Sequence, residues 1–293
     1  MLVTWESGFN WGIAQETSFY PTPWIQEIKL PDHYADIPNE SFYLDRLGNL
    51  FLGKGNGLTI VNENRSVHLQ MIGPVYATGN GSDTVYYACK NDFGLLLKNR
   101  NGQFQIRSFK DRISRAYRDF VPSQLIFADN AIFINAEHGI YHFANGRLKV
   151  FPYKGLNTRL HRLEAELFLH VNDHGILKWT GEDFMEPAQE QTGDSPAFLS
   201  HGMVHHPEVS FIDYISKEEV LMVSPDQGLF IMDHLGNLIS VLGNKEGLPD
   251  RDIRQICACE GGELWILGPH SLHKVNHPSY LDILELDPAR IGR

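Results

Sequence analysis

Histidine is the side chain whose clustering first suggests chemistry here: the chain has 14 of them. Five fall in two short stretches, "LHVNDHG" (His170, His174) and "SHGMVHHPE" (His201, His205, His206). Three or four neutral imidazoles brought together would suit zinc or another borderline metal. Their placement argues otherwise. His201, His205 and His206 fall in the longest interval between apolar runs, the position of a solvated loop, and His138 and His174 each directly precede a turn glycine. They read as turn and surface imidazoles, and no metal or cofactor is expected. The acidic pairs in "KEEV" (Lys217 to Val220) and "EGGE" (Glu260 to Glu263) read as hairpin turns outside the strands, whereas acid/base catalysis needs two carboxylates facing one cleft. Neither a phosphate-binding glycine loop nor a Gly-x-Ser-x-Gly elbow nor a His-Glu-x-x-His helix occurs. No catalytic residue is assigned. Cys257 and Cys259 alternate along one apolar run, which suits neither a disulfide nor a usual zinc spacing, and they read as buried strand thiols.

Bulk properties narrow the classes further. The chain has 293 residues, 42% hydrophobic and 21% charged, with a formal charge of -11. Such an acidic balance excludes unassisted binding to nucleic acid or to an anionic membrane surface. No apolar run approaches the roughly 18 residues that a membrane span needs. The start, "MLVTWESGFNWG", lacks the basic-then-apolar profile of a secretory signal.

The elements that would position any site are short strands. Apolar runs of three to six residues, rich in Val, Ile, Phe and Tyr, are separated by Gly, Asn and Asp. They recur as "NLFLGKGNGLTIVN", "TVYYACKNDFGLLLKN", "AIFINAEHGIYHFANG", "ELFLHVNDHGILKWTG", "EVLMVSPDQGLFIMDHLG" and "ELWILGPHSLHKVN". The aligned small residue is Gly57, Gly94, Gly139, Gly175, Gly228 and Ser271. The spacing of roughly 43 residues is that of four-stranded propeller blades, and a weaker seventh copy, "FNWGIAQETSFY", aligns at Ser18. The expected fold is therefore all-β: a single seven-bladed β-propeller of four-stranded antiparallel blades. It is one domain over residues 1–293, with units roughly 1–30, 31–71, 72–108, 120–152, 158–187, 205–243 and 247–287. Inner strands ("SFYLD", "QLIFA", "SFIDYI", "IRQICA") are apolar, and outer ones ("GRLKVF", "GQFQIRSF", "GNLISVL") mix in charge. "SYLDILELD" (Ser279 to Asp287) is expected as the last outer strand and "MLVTWE" as the first inner one. Asn101-Gly102 and Asn145-Gly146 mark hairpins, and "SFKDRISRAYRDF" (Ser108 to Phe120) marks a short helical turn or a structured interblade loop. "DRLGNL" (Asp45 to Leu50) and "DHLGNL" (Asp233 to Leu238) are out of phase with the period: the first joins strands one and two of its unit, the second joins three and four.

The last unit, "NKEGLPDRDIRQICACEGGELWILGPHSLHKVN", resembles the two-component regulator propeller repeat. Gly247, Leu248 and Pro249 match its entry turn, Ile253 and Ile256 its first strand, Gly262 its turn, and Leu264, Trp265 and Ile266 its second strand. The unit "IPNESFYLDRLGNLFLGKGNGL" is similar without the Gly-Leu-Pro entry. The resemblance implies a sensor propeller, the input domain of a bacterial receptor, with possible output domains beyond Arg293. As an excised sensor domain it would be periplasmic or extracytoplasmic; as a complete chain it would be cytoplasmic.

Propellers bind ligands where the loops between strands two and three, and those entering each new blade, converge on the axis. The first set supplies Lys54, Asn56, Lys90, Asp92, His138, Asn172, His174, Asp226, Gln227 and His270; the second supplies Arg159 and Arg251. The expected partner is a small molecule, an oligosaccharide or a protein bound at this mouth. A protein-interaction scaffold and a metal-dependent lyase or hydrolase are the alternatives.

Overall fold

In the computed structural model the described residues are 24–30, 36–62, 65–80, 84–153, 158–163, 165–171, 175–186, 211–214, 219–224, 228–233, 238–243, 248, 252–259 and 263–276. They form six four-stranded antiparallel sheets, each a propeller blade. Blade I holds β2–β5 (Asn39–Leu44, Leu50–Lys54, Gly57–Asn62, Arg65–Gln70). Blade II holds β6–β9 (Tyr76–Gly79, Val85–Cys89, Asp92–Lys98, Phe104–Ser108). Blade III holds β10–β13 (Pro122–Ala128, Ala131–Ala136, Gly139–Ala144, Arg147–Pro152). Blade IV holds β14–β17 (Thr158–Leu163, Glu166–Val171, Gly175–Trp179, Phe184–Met185). Blade V holds β18–β21 (Phe211–Tyr214, Glu219–Ser224, Gly228–Asp233, Leu238–Leu242). Blade VI holds β22–β24 (Gln255–Cys259, Glu263–Leu267, Leu272–Asn276) and, outermost, β1 (Trp24–Glu27).

The propeller thus has six blades, not seven. The finding that overturns the expected count is the pairing of β1, whose Trp24 to Glu27 lie antiparallel to Asn276 to His273. A four-residue strand cannot satisfy its own ladder groups, and the open edge of β24 offers them partners. The place expected for Ser279 to Asp287 is thereby filled from the other end of the described chain. The runs "MLVTWE", "FNWGIAQETSFY" and "SYLDILELD" lie outside the described residues.

Each interface between blades is an apolar layer, because both faces of these sheets are covered. Phe51 and Leu58 of blade I meet Tyr87 and Leu96 of blade II. Phe93 meets Ile132, Ile134 and Tyr141 between blades II and III. Phe133 and Ile140 meet Leu169, Trp179 and Phe184 between III and IV. Leu221 and Ile231 meet Leu264 and Ile266 between V and VI, and Trp265 and Leu267 meet Phe42 and Leu52 where VI closes on I. β14 adjoins β18 between IV and V. The interior strands are buried almost throughout, β3 and β11 at every residue, while β5 and β9 are largely exposed.

Turn chemistry follows the residues. Asn145 and Gly146 both take positive φ (51° and 75°), the two-residue turn expected of that pair. Asp45 Oδ1 accepts from the backbone N–H of Leu47 (2.9 Å) and of Asn49 (2.8 Å), closing the β2–β3 turn. The strand bounds put "DHLGNL" between β20 and β21, so the two copies serve different turns. One alignment shifts. Gly139 leaves its turn at φ 134°, and a Cβ there would come 2.0 Å from Phe151 O. Blade II turns instead on Lys90 and Asn91, with Asn91 at φ 63°, and Gly94 lies two residues into β8. There a Cβ would meet Arg107 O at 2.1 Å, so packing rather than turning requires the glycine. Ser108 to Phe120 contains two one-turn 3-10 helices, Lys110–Arg112 and Arg115–Tyr117.

Candidate functional site at the axial mouth

Antiparallel order fixes which loops share a face. In every blade the turn between the second and third strands lies at the same end as the crossing to the next blade. This entry face gathers the turns 55–56, 90–91 and 137–138, the segment 268–271, and the crossings 28–38, 71–75, 109–121 and 252–254 as far as they are described.

The sequence-assigned residues are distributed unequally over it. Lys54 ends β3 and is buried, 3% exposed, its ammonium donating to Ile37 O (3.0 Å) and Asn39 Oδ1 (2.8 Å). Burial pushes its pKa below the ordinary lysine range. Asn39 passes the contact on: its side-chain amide donates to Gly268 O (3.2 Å) and its backbone N–H to Pro269 O (2.7 Å). Lys54 therefore belongs to the joint between blades VI and I. Asp92 accepts from Tyr87 Oη (3.0 Å) and Ser108 Oγ (2.6 Å), within blade II. Asn56 and His138 are half-buried in their turns, and Lys90 and His270 are exposed. Asn172, His174, Asp226, Gln227 and Arg251 lie outside the described residues, as do His201, His205 and His206. Among the described residues no three His, Cys, Asp or Glu side chains form a metal-holding group. Glu219, expected in a turn, opens β19 and is buried. Cys257 is half-buried in β22, and Cys89 is buried at the end of β7.

Arg159 lies on an innermost strand. It is the second residue of β14, the innermost strand of blade IV, opposite His170. Three residues that the sequence reading did not assign to the mouth join it. Glu40 occupies a bulge in β2, where the register shifts between Asn39 and Ser41, and bulges re-aim a side chain. Tyr76 opens β6 opposite Ala88. Arg254 directly precedes β22, its backbone N–H donating to Leu267 O (2.8 Å). All four stand at the entry-face end of innermost strands, in blades I, II, IV and VI.

The Tyr76 phenol lies within electrostatic reach of the other three groups. The Tyr76 phenol is pushed up to about 12, first by burial and then by the Glu40 carboxylate, while Arg254 and Arg159 act to lower it. Burial likewise raises Glu40, with Arg254 opposing and Asp252 adding to the rise. Asp252 also pairs with Arg254 at 3.0 Å, on a largely exposed contact. A carboxyl, a phenol and two guanidiniums thus stand at the entry-face ends of four innermost strands, the carboxyl and the phenol partly desolvated. Such a set can grip a polar ligand by charge-assisted hydrogen bonds. The sequence signal for three of them was a charged residue at the start of an inner strand: Glu40 in "NESFYL", Arg159 in "TRLHRL" and Arg254 in "IRQICA".

No family model and no curated protein matches the chain. Solved structures do. Virginiamycin B lyase from Staphylococcus aureus aligns with a TM-score of 0.56 at 11% identity, over 87% of this chain and 99% of that one. A gluconolactonase from Xanthomonas campestris aligns with a TM-score of 0.54 at 13% identity, over 88% and 95%. The extracellular domain of a putative hybrid two-component system from B. thetaiotaomicron aligns with a TM-score of 0.55 at 12% identity, over 86% of this chain and 39% of that one. The likeness is one of fold. At these identities the propeller architecture is shared and activity is not transferred. No helix among the described residues is long and apolar enough to cross a membrane.

Proposed function

We propose that this chain is a ligand-recognition propeller of the sensor kind, binding a small polar molecule or the end of an oligosaccharide at the entry-face mouth. The observation that carries this reading is that Glu40, Tyr76, Arg159 and Arg254 stand at the entry-face ends of the innermost strands of four separate blades. A site assembled from several blades reads a ligand placed on the axis, where single-blade features cannot reach. In this reading the guanidiniums take an acidic or carbonyl group, and Tyr76 and Glu40 take hydroxyls. Asn56, Lys90, His138 and His270, in entry-face loops, line the rim in this reading, and Asn172, His174, Asp226, Gln227 and Arg251, outside the described residues, are proposed as further contacts. The fold shared with an extracellular domain of a two-component system supports an extracytoplasmic input role, with output supplied elsewhere.

A thermal-shift panel of neutral sugars, acidic sugars and small carboxylic acids tests it. One ligand class should raise the melting temperature saturably, and the shift should vanish in R159A/R254A while the unliganded melting temperature stays within a few degrees. A ligand shift that survives this variant unchanged, or a panel with no saturable shift at all, removes the proposal.

A further inference from the structure

The apolar layers between blades differ where they reach the outer circumference of the ring. Between blades III and IV the layer is closed by Phe151 and Phe184, both buried on outermost strands. Between II and III, Phe109 and Tyr117 of the 109–121 crossing pack over it. Between I and II it stays open. Val67 on β5 lies opposite buried Ile60, and Ile106 on β9 lies opposite buried Leu96, so both face this layer. Yet they are 40% and 43% exposed.

The strand beside this gap has a free edge, because β9 ends its sheet. Phe109 N–H donates to Phe93 O and Asn99 N–H to Gln103 O, both at 2.8 Å. Bonded and non-bonded pairs alternate in an antiparallel ladder, so Gln105 and Arg107 turn their backbone groups to β8. Phe104, Ile106 and Ser108 turn theirs outward, where an added strand can pair with them.

The charge around this edge has one sign. β5, the 71–75 crossing, residues 94–98, the 99–103 turn and β9 hold Arg65, Lys98, Arg100 and Arg107, all exposed, and no Asp or Glu. Arg65 Nη2 donates to Gly102 O (3.3 Å), and a Cβ on Gly102 would lie 3.8 Å from that nitrogen and 3.9 Å from Lys98 Cε. Two like charges therefore flank one turn. Among the described residues no acid forms an ion pair with any of the four. Glu63, in the turn before Arg65, offsets one of them. Asp92 stands at the opposite end of β8, on the other face of the sheet from Arg107.

We infer that the open edge of blade II takes an extended acidic segment of a partner protein as a fifth strand. Its main chain pairs with β9, an apolar side chain covers Val67 and Ile106, and its carboxylates meet Lys98, Arg100 and Arg107. Three features select this occupant. Outward ladder groups call for an extended main chain, which a polysaccharide or a helix does not offer. The open apolar layer calls for an aliphatic side chain. The cations call for acids and repel a second copy brought edge to edge. None of these residues belongs to the mouth, so the inference does not depend on ligand binding there.

The test uses the full chain and a fluorescent synthetic peptide of about eight alternating glutamates and valines, a common strand length. Binding should saturate at low salt and weaken steeply as salt rises. K98E/R100E/R107E should reduce affinity about tenfold or more and V67S/I106S measurably, while R159A/R254A binds as the parent does. If the triple reversal fails to fold, K98Q/R100Q/R107Q takes its place. Main-chain pairing has its own readout. Of two peptides N-methylated at alternate residues in opposite phase, one should lose binding and the other keep it. Equal binding of those two, no saturable binding at low salt, or binding that the charge variants leave intact overturns the inference. So does tighter binding to phosphatidylglycerol vesicles than to the peptide, which would mark a lipid surface. Association of the chain with itself that the triple reversal abolishes would equally overturn it, by making a second copy the occupant.

Discussion

Gln255 does with one side chain what a ladder pair does with two strands. Its Oε1 accepts from Phe42 N–H (2.7 Å) and its Nε2 donates to Phe42 O (3.1 Å), so the amide clips blade VI to blade I. Gln124 repeats the device between III and IV, accepting from Leu160 N–H (2.8 Å) and donating to Leu160 O (3.2 Å). Q255A leaves two backbone groups without these partners in a closed joint, and should cost about 2–3 kcal/mol in urea unfolding. Asp129 Oδ2 accepts from Trp179 Nε1 (2.9 Å) across III and IV, and D129A should cost about 1–2 kcal/mol by the same measurement. His161 adds a pH term. Burial first, then Arg159 and His170, lowers it to about 3 from the ordinary 6.5, so the native state holds it neutral. Below pH 6.5 the unfolded chain takes up a proton that the native chain refuses, so stability is lost as pH falls toward 3. The slope is at most about 1.4 kcal/mol per pH unit from this residue. His68 and His142, also lowered by burial, steepen the same limb. H161F should show a shallower loss of urea midpoint between pH 6.5 and 4 than the parent. At this scale local turns were legible, since Asn145-Gly146 and Asp45 act within a few residues. The clasps were not, because Gln255 meets Phe42 at a separation of 213 residues and nothing in "IRQICA" marks the partner.

Among the elements, β1 shows how a sequence period can mislead by one. Its "WIQE" has the length and composition of an inner strand, and only the free edge of β24 decides that it is an outer one. Ile25 faces Val275 and packs on the apolar layer between blades V and VI. I25D should therefore lower the melting temperature of the whole chain and leave β1 accessible to limited proteolysis, which mass mapping of the early cut would reveal. The other strands were readable because each carries its own apolar run and its own turn. Gly94 was misaligned for a related reason: a glycine demanded by the close approach of Arg107 O looks the same in sequence as one demanded by a turn.

For the whole molecule, the ring separates two kinds of surface: a mouth where several blades meet on the axis, and crossings that belong to single interfaces. The four-stranded blades were legible from the spacing of apolar runs, but their number was not. Of the four residues proposed for the mouth, only Arg159 stood out in the sequence, because Glu40, Tyr76 and Arg254 begin innermost strands. Lys54 shows the converse. It reads as a loop-tip cation, yet the 37–39 crossing covers it and turns it into a rivet between blades.

The pairing of Trp24 with Asn276 has a consequence in time as well as in space. During synthesis β1 leaves the ribosome ahead of every other described strand, yet its partner emerges after all of them. Blades I to V can assemble in order from contacts close in sequence, which are the rapidly formed ones. The circle cannot close until translation has passed residue 276, so the earliest of the described strands is the last one placed.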